Sequence, residues 1–308
     1  MPQSKHVLLV AGGWSPERQV SLNGAEAIAH ALKQRGHSVT LFDLSEGFSA
    51  LLAQTGKHDI AFLNLHGAPG EDGLVQAMLD RTGLPYQGSG PAASLLALNK
   101  SAAKAIFQAS GLLTPDWIFL PKPPESDWRP SLPYPLFIKP NTGGSSLHTY
   151  KINDFSALQS AMNELFANSC EVLIEKMIQG REVTCGVLEN RQSGQTEALP
   201  PILILPKGEF FDYRNKYAAD GAAELCPAPL PQDCLNRVRQ LSVKAHHALG
   251  LRGYSRADFI LTEDGELYLL EVNTLPGMTA TSLVPREAAA TGLEFGEFLE
   301  MLLETSST

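Results

Sequence analysis

The sequence predicts a mixed α/β protein, and two patterns carry that prediction. Over residues 1–88, short apolar segments with strand periodicity alternate with longer amphipathic segments of helical periodicity. Such alternation predicts a mostly parallel sheet, with ligands bound at the carboxyl ends of its strands. Further along, residues 253–283 have the alternation and turn signal of an antiparallel hairpin. We therefore expect an N-terminal α/β unit followed by antiparallel sheet.

The composition is typical of a globular enzyme. The chain has 308 residues, which is enough for two or three domains with sizeable cores. Its net charge is −9 and no Lys/Arg block is present, so we expect no nucleic-acid partner. We also expect no membrane span and no secretory or transit peptide, and therefore a cytoplasmic protein. The four cysteines form neither a C-x-x-C pair nor a zinc spacing, which predicts reduced thiols.

The N-terminal unit has glycine turns where ligands of a parallel sheet bind. Gly12-Gly13 follows the first predicted strand, and His66-Gly67 follows the third. A G-x-G-x-x-G pattern is absent, which argues against a dinucleotide fold of the dehydrogenase kind. The predicted strands cover residues 6–10, 38–43 and 60–65, and the predicted helices cover residues 21–34 and 73–82.

The rest of the chain alternates short strands with polar loops. An Ala-rich helix within residues 89–110 carries Lys100 and Lys104, and the proline-rich residues 121–135 predict an exposed connector. Residues 206–224 are a long polar loop, which predicts a lid or binding loop. Further strands are expected at 136–139, 171–177, 183–188 and 198–205, and helices at 155–168, at 235–249 and from about 293.

The hairpin predicts a metal site at its open end. If Asp264-Gly265 is a two-residue turn, Asp258 faces Glu271 and Arg256 faces Asn273. Opposed carboxylates weaken a strand pair unless a cation lies between them, and an all-oxygen Asp/Glu/Asn set suits Mg²⁺. The alternative is a solvated hairpin end with scattered charges. The opposite face is the expected core face, with Ala257, Phe259, Leu261, Tyr268, Leu270 and Val272.

Lysines near glycine loops predict a phosphate site. Lys139 ends a strand and precedes the polar loop 141–146, whose backbone N–H groups can bind an anion. For Lys176, a strand-end lysine that extends to solvent is the favoured alternative. Lys216 and Tyr217 lie together in the polar loop, where they can close over a phosphate or remain solvated.

Taken together, these segments resemble the D-alanine–D-alanine ligases of the ATP-grasp superfamily. The resemblance runs from His6 to the C-terminal helix. It implies three domains: an N-terminal parallel-sheet domain (1–90), a central ATP-grasp domain (91–177) and a C-terminal ATP-grasp domain (178–308). The matching segments are GGWSPERQVSL (12–22), LHGAPGEDG (65–73), GSGPAASLLALNK (88–100), FIKP (137–140), VLIEKMIQGREVT (172–184), FFDYRNKY (210–217), GYSRADF (253–259) and LLEVNTLPGMTATSLVP (269–285).

The resemblance also implies roles for individual residues. The ATP side comprises the phosphate lysines Lys100, Lys139 and Lys216, the adenine-side positions Glu175, Lys176, Met177 and Ile178, and the ribose ligand Glu182. The metal ligands are Asp258, Glu271 and Asn273. The first D-alanine is held by Glu17 with Ser145 and Tyr217, the oxyanion by Arg256 and Gly277, and the substrates further by His66, Ser282 and Leu283.

The implied reaction is the ATP-dependent ligation of two D-alanines through an acyl phosphate, for peptidoglycan precursor synthesis. Two Mg²⁺ (or Mn²⁺) ions and a homodimer are expected from the family, and the base for the attacking amine stays unassigned. The loop 141–148, which carries Ser145, departs from the family pattern at Gly143 and His148. The contacts by which this loop closes over the site are therefore not predicted. The alternatives are a ligase with another acceptor, such as D-lactate, and a non-catalytic nucleotide-binding regulator. Tyr217 favours the amine acceptor, and the retained metal and oxyanion residues argue against the regulator.

Overall fold

The computed structural model describes residues 3–144, 148–190, 194–206 and 222–305, with only the backbone described at 190 and 206. Three predicted site residues, Ser145, Lys216 and Tyr217, lie outside this part of the chain. Most of the predicted loop 206–224 also lies outside it. Across the described ranges, no helix is both long and apolar enough to cross a membrane.

The N-terminal unit is the predicted parallel sheet. Its strands are ordered β2-β1-β3 and pair in parallel throughout. The apolar side chains of β1 and β3 are almost completely buried, whereas in the edge strand β2 Phe42 is buried and Leu41 is exposed. The elements of this unit are β1 (His6–Ala11), α1 (Arg18–Gln34), β2 (Ser38–Asp43), α2 (Phe48–Thr55), β3 (Ile60–Leu63) and α3 (Leu74–Thr82), with a 3₁₀ turn at Leu44–Glu46.

The Ala-rich segment after this unit forms two helices instead of the single helix predicted. Asn99 separates them, and its side chain accepts a hydrogen bond from Ala102 N at 3.1 Å. Asparagine is a preferred helix N-cap because its side chain satisfies an N–H that the helix cannot. The cap starts a new helix at Lys100 and so sets the direction of that side chain. The two helices are α4 (Pro91–Leu98) and α5 (Lys100–Ala109).

The second sheet is a four-stranded antiparallel layer in the order β4-β7-β5-β6. One helix packs on it, and the apolar residues of both form a separate core. The proline-rich connector is largely exposed, as predicted. The elements are β4 (Trp117–Leu120), β5 (Leu136–Pro140), β6 (Tyr150–Ile152), α6 (Phe155–Ala167) and β7 (Val172–Lys176).

The third sheet has six strands in the order β11-β10-β8-β12-β13, with β9 also paired to β8. The predicted strand 198–205 is wrong, because Pro200-Pro201 interrupts it and proline has no N–H for a ladder. Two short strands, β9 and β10, replace it. The strands and helix of this layer are β8 (Arg181–Asn190), β9 (Gln195–Ala198), β10 (Ile202–Pro206), β11 (Ala222–Leu225), α7 (Gln232–Ala248), β12 (Tyr254–Leu261) and β13 (Leu267–Asn273).

Two C-terminal helices return the chain to its beginning. They are α8 (Leu283–Ala289) and α9 (Phe295–Glu304). Helix α9 packs on α1, and its apolar face joins the core of the first sheet. Glu300 of α9 pairs with Arg35 and accepts a hydrogen bond from Arg35 Nε at 2.6 Å. The last helix therefore belongs to the same core as the first strand.

The β12–β13 hairpin corrects the sequence prediction in one detail. Its turn has three residues, because Thr262 N bonds to Glu266 O at 2.9 Å and Gly265 has a φ of 86°. The longer turn shifts the nearby pairs by one residue and reverses the predicted faces of β13 over residues 267–270. Leu267 and Leu269 are buried, whereas Tyr268 and Leu270, predicted in the core, are only half-buried.

A bulge between Asp258 and Phe259 restores the register further from the turn. Asp258 then pairs with Glu271, and Arg256 pairs with Asn273, as the sequence predicts. The extra turn residue and the bulge each shift the pairing by one residue, in opposite directions. The polar end of the hairpin therefore has the predicted pairs, although the turn is not the predicted one.

Candidate active site

A single cavity of about 800 Å³ collects most of the predicted site. The four-stranded and six-stranded sheets provide most of its walls, and the turn after β1 closes one end. Since these walls are far apart in sequence, the fold itself brings the residues together. The predicted site residues that line the cavity are Glu17, Lys100, Lys139, Glu175, Lys176, Met177, Ile178, Glu182, Asp258 and Glu271.

One buried carboxylate holds Lys139, which lines the cavity, and Lys104, which lies behind the cavity wall. Lys139 Nζ lies 2.5 Å from Glu175 Oε2, and Lys104 Nζ lies 2.5 Å from Glu175 Oε1. Burial alone favours the neutral acid, but the two cations hold the pKa of Glu175 at about 2. Glu175, predicted on the adenine side, therefore also anchors Lys139, the predicted phosphate lysine.

Lys104 is a site residue that the sequence interpretation missed. It is fully buried, and its Nζ donates to Thr114 Oγ1 at 2.6 Å. Burial lowers its pKa, and the Glu175 carboxylate opposes that effect. Its spacing from Lys100 was the available signal, since lysines at i and i+4 repel on one helix face unless each has a partner.

Lys100 contacts Gly143 in the polar loop after β5 and approaches Glu271, a predicted metal ligand. Its Nζ donates to Gly143 O at 2.6 Å and lies 3.8 Å from Glu271 Oε2. Burial lowers the pKa of this lysine, while Glu271 opposes the shift. Gly143 has a φ of 122°, a conformation that favours glycine over the acidic residue common in the family. The departure noted in the sequence thus accompanies a distinct backbone conformation.

The opposite end of the cavity combines an apolar wall with a polar edge. Lys176, the last residue of β7, is followed along the cavity wall by Met177 and Ile178, and Met177 N donates to Pro135 O at 3.2 Å. The Lys176 side chain is exposed while it lines the cavity. Apolar side chains of this wall are Phe137, Ile204, Leu205, Ile260 and Leu270. Such a slot can accept a flat aromatic ring.

Asp258 is the centre of a dense polar cluster at the hairpin end. Arg256 donates to both of its oxygens, from Nε at 2.8 Å and from Nη2 at 2.7 Å. Thr184 Oγ1 donates at 2.5 Å and Asn273 Nδ2 at 3.0 Å. Burial opposes the guanidinium charge, but the Asp258 carboxylate raises the pKa of Arg256 above its ordinary value. Arg256 therefore stays cationic in this buried position.

The oxygen ligands at the hairpin end suit Mg²⁺ in their chemistry. Asp258 and Glu271 are opposed carboxylates, and Asn273 adds an amide whose Nδ2 is bonded to Asp258. Among the described residues, no three His, Cys, Asp or Glu side chains form a metal cluster, so the amide would complete this set. Because Asp258 already accepts hydrogen bonds from four donor atoms of the described residues, a bound cation would displace at least one donor.

The N-terminal unit contributes two acidic side chains to the site. Glu17 is buried in the cavity wall, and a Cβ at Gly144 would lie 3.7 Å from its Oε2. Glu71, to which the sequence interpretation gave no role, accepts a hydrogen bond from Gly67 N at 2.6 Å. Burial, with Glu17 and Glu271 nearby, raises the pKa of Glu71 to about 7. His66 does not line the cavity, although the adjacent Gly67 does.

The predicted acceptor residues form their own small cluster. Ser282 Oγ accepts a hydrogen bond from Thr279 N at 3.0 Å, and a Cβ at Gly277 would lie 3.2 Å from the same oxygen. Leu283 begins α8 directly after Ser282. The described residues that line the main cavity do not include Gly277, Ser282, Leu283 or Arg256. The structure thus brings Gly277 and Ser282 together outside the cavity wall.

Comparison with known proteins gives consistent matches. A family model described as "D-ala D-ala ligase C-terminus" matches residues 106–304. A D-alanine–D-alanine ligase of Desulfovibrio desulfuricans is 61% identical, over 97% of this chain and 96% of the relative. One of Nitratidesulfovibrio vulgaris is 57% identical, over 98% of each chain. The solved ligase of Bacillus anthracis complexed with ATP superposes with a TM-score of 0.86, at 34% identity over 98% of this chain and 97% of that one.

Proposed function

Because this chain belongs to the D-alanine–D-alanine ligase family, we propose that it ligates two D-alanines at the expense of ATP, giving D-alanyl-D-alanine, ADP and phosphate. One observation carries the proposal. A single cavity presents paired lysines, an opposed-carboxylate pair and the buried acid Glu17. These are the three kinds of group needed for a polyphosphate, a divalent cation and a substrate ammonium.

The lysines provide the phosphate end of the site. Lys139 and Lys100 both line the cavity. Since Glu175 and Gly143 O fix their positions, the charges need little rearrangement when a phosphate enters. Asp258, Glu271 and Asn273 would hold Mg²⁺. When bound, such ions neutralise charge on the transferring phosphoryl group.

The amino-acid end begins at Glu17. A buried carboxylate there would orient the ammonium of the first D-alanine and leave its carboxylate facing the phosphate lysines. Arg256 remains cationic and would stabilise the oxyanion that forms when the second amine attacks, together with the N–H of Gly277. Ser282 and Leu283 would hold the second carboxylate. The proposal also includes three residues outside the described ranges, whose roles rest on the sequence alone. Lys216 would bind phosphate, and Ser145 and Tyr217 would act with Glu17.

The proposal extends to the setting of the enzyme. It places the three domains at 1–90, 91–177 and 178–308, in a cytoplasmic homodimer that supplies peptidoglycan precursors. Gel filtration with light scattering tests the dimer, and limited proteolysis tests the domain boundaries.

Product identification tests the activity directly. Purified protein is incubated with ATP, Mg²⁺, D-alanine and an equal concentration of D-lactate at neutral pH, and the products are separated by mass. We expect D-alanyl-D-alanine as the main product, with stoichiometric ADP. A depsipeptide as the main product would replace the proposed acceptor. Absence of D-alanine-dependent phosphate release would overturn the ligase proposal itself.

A further inference from the structure

Glu287 is a fully buried acid on α8 to which the proposed reaction gives no role. Its Oε2 accepts a hydrogen bond from the backbone N–H of Gly186 in β8 at 2.8 Å. Its Oε1 has no hydrogen-bond partner in the part of the chain that the structure describes. An apolar side chain would avoid the cost of burying this group, so its position requires a reason.

The hydrogen bond replaces a missing strand partner. On this side of β8, the ladder to β10 begins at Thr184 and the ladder to β9 begins at Val187. Pro200-Pro201 separates β9 from β10 and leaves Gly186 N between the two ladders. Glu287 supplies the acceptor that the broken strand lacks. The side chain therefore attaches α8 to the sheet at this gap.

The same carboxyl group lies beside the proposed oxyanion arginine. Gly186 pairs directly with Arg256 across β8 and β12, and side chains at paired positions project from the same face. The Cβ that Gly186 lacks would lie 2.5 Å from Glu287 Oε2. The carboxyl therefore occupies the space next to Arg256, and any larger residue at 186 would displace it.

Helix α8 connects this point to the acceptor cluster. It begins at Leu283, directly after Ser282, and Val284 Cγ1 would lie 3.4 Å from a Cβ at Gly186. On its other side, Arg286 Nη2 donates to Glu224 O in β11 at 2.8 Å. The short helix is thus attached to β11 through Arg286 and to β8 through the next residue, Glu287.

We propose that Glu287 is a positioning residue for the second D-alanine. It fixes the helix that carries Ser282 and Leu283 against the strand pair that carries Arg256. The acceptor carboxylate and the oxyanion group thereby keep a constant separation. This inference rests on the proposed function, because Ser282, Leu283 and Arg256 have their roles through it.

Steady-state kinetics can separate the two D-alanine sites. The rate of ADP release at saturating ATP is measured against D-alanine concentration and fitted with one KM for each D-alanine. Because a displacement of about 1 Å can cost roughly 100-fold in rate, we expect Glu287→Ala to raise the second KM by at least about tenfold. The first KM should change by less than about twofold, because Glu17, the proposed ligand of the first D-alanine, lies on the N-terminal unit and not on α8.

Two further variants examine the contact from each side. Burial raises the pKa of Glu287, so the neutral, isosteric Glu287→Gln should keep both KM values near those of the wild type. Gly186→Ala leaves the acid present but occupies its space, and should also raise the second KM. It therefore tests the contact even if Glu287→Ala folds poorly. The double variant Gly186→Ala/Glu287→Ala refills the space without the hydrogen bond, so the second KM should stay high.

A control identifies a merely structural effect. Glu300→Ala removes another buried glutamate, on α9, and should lower Tm while both KM values stay unchanged. The inference is overturned if Glu287→Ala behaves like this control, or if the double variant restores the second KM. If the wild type releases no D-alanine-dependent ADP, the proposed function fails first, and this inference fails with it.

Discussion

Asp258 lies directly opposite Glu271 in the β12–β13 ladder, even though the turn between the strands is one residue longer than the sequence predicts. A bulge after Asp258 compensates for the extra residue. Since side chains alternate along a strand, an uncompensated shift would have turned Glu271 into the core. The proposed metal face therefore depends on the bulge as much as on the turn.

The bulge yields a prediction about two adjacent leucines. Leu269 is fully buried in the core, whereas Leu270 lines the cavity. Leu269→Ala should lower the free energy of unfolding by about 2–5 kcal/mol, with the KM for ATP almost unchanged. Leu270→Ala should instead raise the KM for ATP about fivefold, at a loss of stability below about 1.5 kcal/mol. Urea unfolding and ATP titrations distinguish them, and the opposite assignment of effects would place the bulge elsewhere.

The comparison of sequence and structure shows which information is local. A continuous apolar run locates β1, which is buried on both faces, and strand periodicity locates the hairpin, where β13 alternates between buried and half-buried side chains. Turn length and bulges depend on backbone geometry that a D-G signal does not determine. The sequence does not reveal the Glu175–Lys104 pair, or the approach of Glu17 and Glu271 to Glu71, because these residues are distant in sequence and meet only in the fold. The Pro200-Pro201 break was present in the sequence and was overlooked.

The metal face gives the second prediction. Glu271→Gln keeps the shape of a partly exposed side chain, so the fold should be retained while turnover falls by about 100- to 1000-fold. Asp258→Asn should lose as much activity and also about 3–5 kcal/mol of stability, because it leaves Arg256 buried without its carboxylate. Turnover assays and urea unfolding measure the two effects. Retention of most activity in both variants would show that this face binds no catalytic cation.

The Glu175 ion pairs predict a loss of stability in acid. The pKa of this carboxyl is held at about 2, below its ordinary value of 4.5, so its stabilising contribution is complete above pH 4.5. The contribution disappears as the pH falls from 4.5 towards 2, and amounts to about 3 kcal/mol. Urea unfolding at pH 7, 5 and 3.5 should show a smaller decline for Glu175→Gln than for wild type. Glu26→Gln, at an exposed position, is the control and should follow the wild-type decline.

Glu71 predicts the opposite dependence on pH. Burial and the neighbouring Glu17 and Glu271 carboxylates raise its pKa from 4.5 to about 7, although the Gly67 N–H favours the charged form. Because the folded state binds the proton more tightly than the unfolded state, the stabilising contribution is complete below pH 4.5. It is lost as the pH rises through 7.

Glu71→Gln removes this titration while keeping the size of the side chain. The free energy of unfolding of the variant, relative to wild type, should therefore rise between pH 5 and pH 8 by up to about 3 kcal/mol. Urea unfolding across this range measures the difference, and Glu197→Gln at an exposed site should show no such change. If Glu71→Gln and wild type keep a constant difference, Glu71 is ionised throughout. The acidic cluster would then need a cation to compensate its charge at neutral pH, and added Mg²⁺ should stabilise the wild type more than the variant.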